Sequence, residues 1–146
     1  MRRLRAGGFT VIDRPRPRVL DDMSPNHGGV AAIAMPGIRL SPLDLGVKLS
    51  TFEFIGVRVT SGSSSCIAAV IYSPGSQSVT KAFFDNISDV LDRLATFADP
   101  VLLVGDVNVR LDRPDDAFAC SLTDVLAERG FSNRVSSVTH DKGDMI

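Results

Sequence analysis

The sequence predicts an α+β layered sandwich, and three observations carry that prediction. Apolar runs of strand length, separated by short polar turns, fill the first half of the chain. From about Thr80 the apolar spacing changes from two to three and four, the period of a helix. A further strand-like run, 101–106, then stands between that helical pattern and a second one.

Length and composition are compatible with this. At 146 residues, 44% hydrophobic and 23% charged, the chain matches one globular domain able to bury a core. Its apolar runs fall far short of the roughly 18 residues that a membrane span needs. Arginines follow Met1, where a secretory leader would have a long apolar stretch and a small-residue cleavage site. The expectation is a soluble, intracellular protein with no membrane partner. Cys66 and Cys120 form neither a disulfide framework nor a zinc-ligand pair, so two buried free thiols are expected. His27 and His140 stand 113 positions apart and give no local metal-ligand pattern.

The elements follow in order. Residues 1–18 hold six Arg against one Asp, a balance of +5, while the remaining residues hold ten basic against sixteen acidic, a balance of −6. We read 1–18 as a basic N-terminal arm with a first strand in "GFTVID" (8–13), and 19–146 as the body of the domain. Such an arm suits a polyanionic partner, because arginines pair with phosphates and release counterions; a solvated terminus is the alternative. "RPRPR" (14–18) must be extended, since each proline fixes its own φ and pushes the residue before it out of the helical region. "MSPNHGG" (23–29) is turn material.

"GVAAIAM" (29–35) reads as a strand, "TFEFIGVRV" (51–59) alternates over part of its length, and "SGSSS" (61–65) is a tight polar turn. The continuous apolar run "CIAAVIY" (66–72) suits a central strand covered on both faces. Short polar turns between these runs favour antiparallel pairing. Residues 80–98 predict a helix of about five turns, begun near Ser78 or Thr80 as N-cap and stopped at Pro100. Its apolar positions are Phe83, Phe84, Ile87, Val90, Leu91, Leu94 and Phe97. "VLLVGD" (101–106) is the next buried strand. A second helix is expected over 115–129, with Phe118, Leu122, Val125 and Leu126 inward and Gly130 just past its end.

Chemistry concentrates at the end of 101–106. In a strand, residues two apart share a face, so Asp106 and Asn108 leave a hydrophobic run on one side. They offer an acceptor-only carboxylate and an amide that both donates and accepts. That pair can position a water and a phosphate oxygen together, or help to hold a hard divalent cation. An Asx turn closing a strand would use the same two residue types.

Four stretches, in order, extend the pattern: "HGGVAAIA" (27–34), "IYSPGS" (71–76) before a Phe-rich helix, "VLLVGDVNVRLD" (101–112) and "THDKGDMI" (139–146). Together with "DRPRPR", they resemble the endonuclease/exonuclease/phosphatase superfamily. Within it, the sequence is most similar to the endonuclease domains that precede reverse transcriptase in non-LTR (LINE-type) retrotransposons. The resemblance spans nearly the whole chain and implies a DNase I-like α/β/β/α four-layer sandwich, here incomplete, cleaving phosphodiesters with Mg²⁺ or Mn²⁺.

By this resemblance Asp106 orients or deprotonates the attacking water, Asn108 contacts the scissile phosphate, and both serve the metal. Tyr72 matches the active-site tyrosine and Thr139 the threonine of a loop approaching the site. His140 reads as an ordinary loop histidine. The resemblance further implies DNA as partner, a parent polyprotein with reverse transcriptase, no stable protein partner, and a nuclear location. The family's metal-binding Glu, in an "ETW"-like stretch, and its terminal Ser-Asp-His have no counterpart here. Glu53 reads instead as a charge on the exposed side of a strand. A chain so truncated at both ends is expected to show little or no nuclease activity alone and to expose sheet edges. Two other functions fit the sequence: a phosphatase or phosphodiesterase of the same fold acting on lipid or small phosphoesters, and a decayed fragment that binds nucleic acid without catalysis.

Overall fold

The computed structural model describes residues 2–6, 8–15, 29–75, 79–111, 113 and 115–135. They form seven strands and two helices, a mixed α+β architecture with two sheets. The chain divides into two compact units: 1–46 with 53–72 and 98–105, and 47–52 with 73–97 and 106–146.

The first unit contains both sheets. Strands β1 (Arg2–Ala6), β2 (Phe9–Pro15) and β3 (Gly29–Ala34) form an antiparallel sheet in that order. The basic segment thus enters the fold as a hairpin, Arg2 opposite Asp13 and Ala6 opposite Phe9. The second sheet has the order β4 (Arg39–Leu43), β5 (Glu53–Ser61), β6 (Ser64–Tyr72), β7 (Val101–Asp106). The two sheets face each other across Ile12, Val30, Ala34, Leu40, Ile55 and Val57.

Why β5 and β6 pair is plain from their residues. Both are rich in β-branched side chains, and Ser61 opposite Ser64 leaves a two-residue loop. Gly62 takes φ 57° there, the positive value that such a tight hairpin turn requires of its first central residue. The register sets Ile55 beside Val70 and Val57 beside Ala68, on the face that meets the other sheet. On β6's opposite face Ile67, Ala69 and Ile71 are buried as well, so this strand is covered on both sides as its unbroken apolar run predicts.

Strand β4 escapes sequence reading because Pro42 interrupts it. It lies at the edge of the sheet, where a proline's missing N–H costs no ladder bond, and Pro42 faces Val57.

The last pairing brings β7 beside β6. Ile67 N–H donates to Pro100 O at 2.8 Å, and Ser73 N–H donates to Asp106 O at 2.8 Å. Both bonds advance in the same direction along the two strands, so β6 and β7 run parallel, as a β-helix-β crossover demands. Asp99, just before β7, accepts from Arg58 at 3.0 Å and from Ser65, anchoring this start to β5 and β6. At the far end Gly105 has φ 132°, and a Cβ placed there would stand 1.8 Å from Ile71 O. Only a residue without a side chain allows β7 this close.

One expectation needs correcting here. The run 101–106 is not a buried strand: Leu102 is 52% and Val104 38% exposed. Among the described residues β7 has a neighbour on one side only, so it is an edge. Apolar residues in unbroken sequence look alike whether one face is covered or two.

The second unit carries both helices. Helix α1 (Lys81–Leu94) buries Phe83, Ile87, Val90, Leu91 and Leu94 of the predicted stripe, while Phe84 is half-buried and Phe97 lies past the helix end. It ends well before Pro100. Thr96 N–H and Oγ1 both bond Arg93 O, and Phe97 N–H reaches Leu94 O, tightening the chain into turns after Leu94. Thr80 is the N-cap by backbone geometry but makes no side-chain capping bond. Within this unit the 47–52 segment is tied to α1: Asn86 Oδ1 accepts from Ser50 N–H at 3.0 Å and Thr51 Oγ1 at 3.1 Å, while the Phe52 ring meets Phe83 edge-on at 5.7 Å.

Helix α2 (Ala117–Glu128) starts at an acidic cap, Asp116 Oδ1 accepting from Phe118 N–H at 2.8 Å and Ala119 N–H at 3.1 Å. It ends in a Schellman motif: Gly130, φ 76°, donates to Ala127 O, and Phe131 N–H returns to Leu126 O. Gly130 is thus the residue past the helix end, as predicted. Phe118, however, does not face inward: it is 47% exposed and stacks on Phe84, and Ala119 with Leu122 forms the buried pair. Arg129 bonds Asp92 at 2.7 Å, joining the two helices. The thiols also depart from expectation, since Cys66 is half-buried and Cys120 exposed.

Gly105→Ala is expected to cost more than about 3 kcal/mol, combining an unfavourable backbone region with the overlap on Ile71 O. A urea unfolding midpoint close to wild type would contradict this. Asp116→Ala, which removes the α2 cap, should cost about 1 kcal/mol in the same assay.

Candidate functional site

Three residues form a closed network where β6 and β7 end. The Ser73 amide donates to the Asp106 carbonyl, binding the two strand ends backbone to backbone. Asp106 Oδ1 accepts from the Asn108 amide at 2.8 Å. The Asn108 side chain then returns through Nδ2 to the Ser73 carbonyl. Each residue is held by the other two.

The local sequence explains why. Asn108 has φ 53°, the one non-glycine residue with positive φ among those described, and asparagine tolerates that left-handed region better than most. The bend swings its side chain back toward the 73–75 loop. Asp106 stabilises the bend by accepting two residues ahead, which is an Asx turn. The turn thus holds the carboxylate on the Asn108 backbone amide and sends the carboxamide to Ser73. Ser73 is the buried polar member, 6% exposed, while Asp106 is half-buried and Asn108 exposed.

The other expected residues divide. Tyr72 is the final residue of β6, half-buried, and packs against the core between the sheets. It is covalently joined to Ser73, which bonds both Asp106 and Asn108. Thr139 lies outside the described residues, as do His140, His27 and the 136–146 segment. Glu53 departs from expectation: it stands directly opposite Tyr72 across β5 and β6, half-buried, on the face that meets the other sheet. Alternation from Phe54, which points the other way, puts it there.

Sequence reading passed over Ser73 and Gly75, which belong to this arrangement. Both stand in the quoted "IYSPGS", where turn-forming residues drew attention away from a serine directly after an apolar strand.

Chemically, Asp106 keeps capacity beyond its one bond to Asn108 N–H, because a carboxylate has about four acceptor sites. Asn108 Nδ2 has a second hydrogen beyond the one given to Ser73 O. Among the described residues no group of three or more His, Cys, Asp and Glu gathers to hold a metal. A Mg²⁺ ion fits this donor set only as a cation held by one or two side-chain oxygens with most of its water retained, which is its common mode. No described helix is long and apolar enough to cross a membrane.

No protein-family model matches the sequence, and a search of curated proteins returns no match.

Asn108→Ala should lower stability by about 2 kcal/mol, from loss of the bond to Ser73 O and from forcing alanine into the left-handed region. Asn108→Gly restores the backbone freedom and should lose only about 1 kcal/mol. Equal thermal unfolding shifts for the two variants would count against the backbone contribution.

Proposed function

We propose that this chain contributes the Asp–Asn strand end of a metal-dependent phosphodiesterase, a DNA endonuclease of the DNase I-like kind similar to those of non-LTR retroelements. The observation that carries the reading is the Ser73–Asp106–Asn108 network. It fixes an acid and an amide at the end of a strand before any substrate arrives.

In this reading Asp106 orients the attacking water through its remaining acceptor sites, and Asn108 offers its second Nδ2 hydrogen to a nonbridging phosphate oxygen. The resemblance would add the Tyr72 hydroxyl as a further donor. Asp106, with Asn108 beside it, would hold a Mg²⁺ ion, which would supply charge neutralisation at the phosphate. The arginines of the first eighteen residues add attraction for a polyanionic strand, and would do so for any sequence of bases. A nuclear location and a reverse transcriptase in the parent polyprotein accompany this proposal.

A second reading also has an observation in its favour: the bond from Asn108 N–H to Asp106 Oδ1 makes the pair a structural Asx turn with no catalytic duty. Supercoiled plasmid separates the two. With Mg²⁺ the chain should nick weakly, and Asp106→Ala should nick at least about tenfold more slowly, since a group acting on the nucleophile is not replaced by its neighbours. Equal rates, or rates indifferent to chelation of the metal, would leave Asp106 as turn chemistry alone. DNA retention that falls steeply with rising salt, without nicking, would mark a binding module.

A further inference from the structure

A gap lies beside the site. Gly75 follows Ser73 and Pro74 in the loop after β6, and it is not among the glycines with positive φ. Its backbone therefore does not require glycine. What requires it is space: a Cβ built on Gly75 would lie 2.8 Å from Asn108 Oδ1, 3.2 Å from Cγ and 3.7 Å from Nδ2. The first of these is closer than carbon and oxygen tolerate, and all three belong to one carboxamide. The carboxamide, oxygen end foremost, therefore occupies the space that a side chain at 75 would need, while Nδ2 holds the Ser73 carbonyl.

We propose that Gly75 is a positioning residue for Asn108. By lacking a side chain it leaves the slot that clamps the Asn108 amide against Ser73, and so sets the direction of the second Nδ2 hydrogen. Any larger residue at 75 rotates the exposed carboxamide out of the slot, because the exposed end of a side chain yields more easily than backbone. Ser73 O then loses its donor, while the strands and their core are untouched. The effect on a phosphoester rests on the function proposed above; the clamp itself does not.

The test keeps the two apart by reading the clamp without activity. In the intact chain the Asn108 side-chain NH₂ should show two well-separated ¹H–¹⁵N resonances with slowed hydrogen exchange. In Gly75→Ala they should collapse toward the positions of a solvated amide, with the melting temperature lower by only a few degrees. A cycle with Asn108→Gly supplies the second reading. If Gly75 acts through Asn108, Gly75→Ala shifts the unfolding midpoint in the wild-type background and leaves it unchanged where residue 108 has no side chain.

Asn108 resonances unmoved by Gly75→Ala, or an equal midpoint shift in both backgrounds, would overturn the proposal. Should Gly75→Ala destabilise the chain too far for spectra, the cycle still decides, since removing the Asn108 side chain then rescues folding if the clash is real. Plasmid nicking reports separately on function: clamp intact and Asp106→Ala silent would reject the nuclease and retain the positioning role.

Discussion

The close approach of two backbones at Gly105 is the constraint on which this structure turns. At that point β7 passes so near the Ile71 carbonyl that no side chain fits between them. One residue on, Asp106 leaves the strand with its carbonyl bonded to Ser73. The exit point of the carboxylate is therefore set by van der Waals contact and one backbone hydrogen bond, before side-chain chemistry enters. The hydrophobic run of β7 delivers the acid, and a missing Cβ decides where.

From that fixed point the site is built by reciprocal bonds. Asp106 holds the Asn108 amide, Asn108 holds the Ser73 carbonyl, and Ser73 holds the Asp106 carbonyl. A cycle of this kind is stiffer than three separate bonds, since no member can rotate without breaking a partner's contact. Two glycines accommodate it, Gly105 by admitting the neighbouring strand and Gly75 by admitting the carboxamide. Preorganisation here is a property of empty volume as much as of polar groups.

Much of this was legible in the sequence, and the limits were physical. Strands β3, β5, β6 and β7 and both helices follow from apolar periodicity, and Gly130 from the need for a left-handed residue past a helix end. Strand β4 was not, because Pro42 argues against a strand unless its edge position is known. Burial was harder still. Leu102 and Val104 read as core, yet coverage depends on what lies opposite, which periodicity within one segment does not encode. Asp106 and Asn108 stood out as strand neighbours sharing a face, but Asn108 lies past the strand at positive φ, and what joins the two is an Asx turn through the Asn108 amide. Ser73 and Gly75 did not stand out, since a turn-like "SPG" gives no sign that a partner 35 residues away is bonded to it.

That distance bears on how the molecule acquires its shape. The β5–β6 hairpin closes through two residues and joins neighbours in sequence, so it can form in microseconds without help from the rest. Setting β7 beside it must wait until the whole intervening crossover has been reeled in, a long excursion whose entropy is lost before any contact repays it. The bond from Asn108 to Ser73 closes at the end of that excursion. The polar knot is therefore tied only after the hairpin has formed and β7 has come to lie beside it.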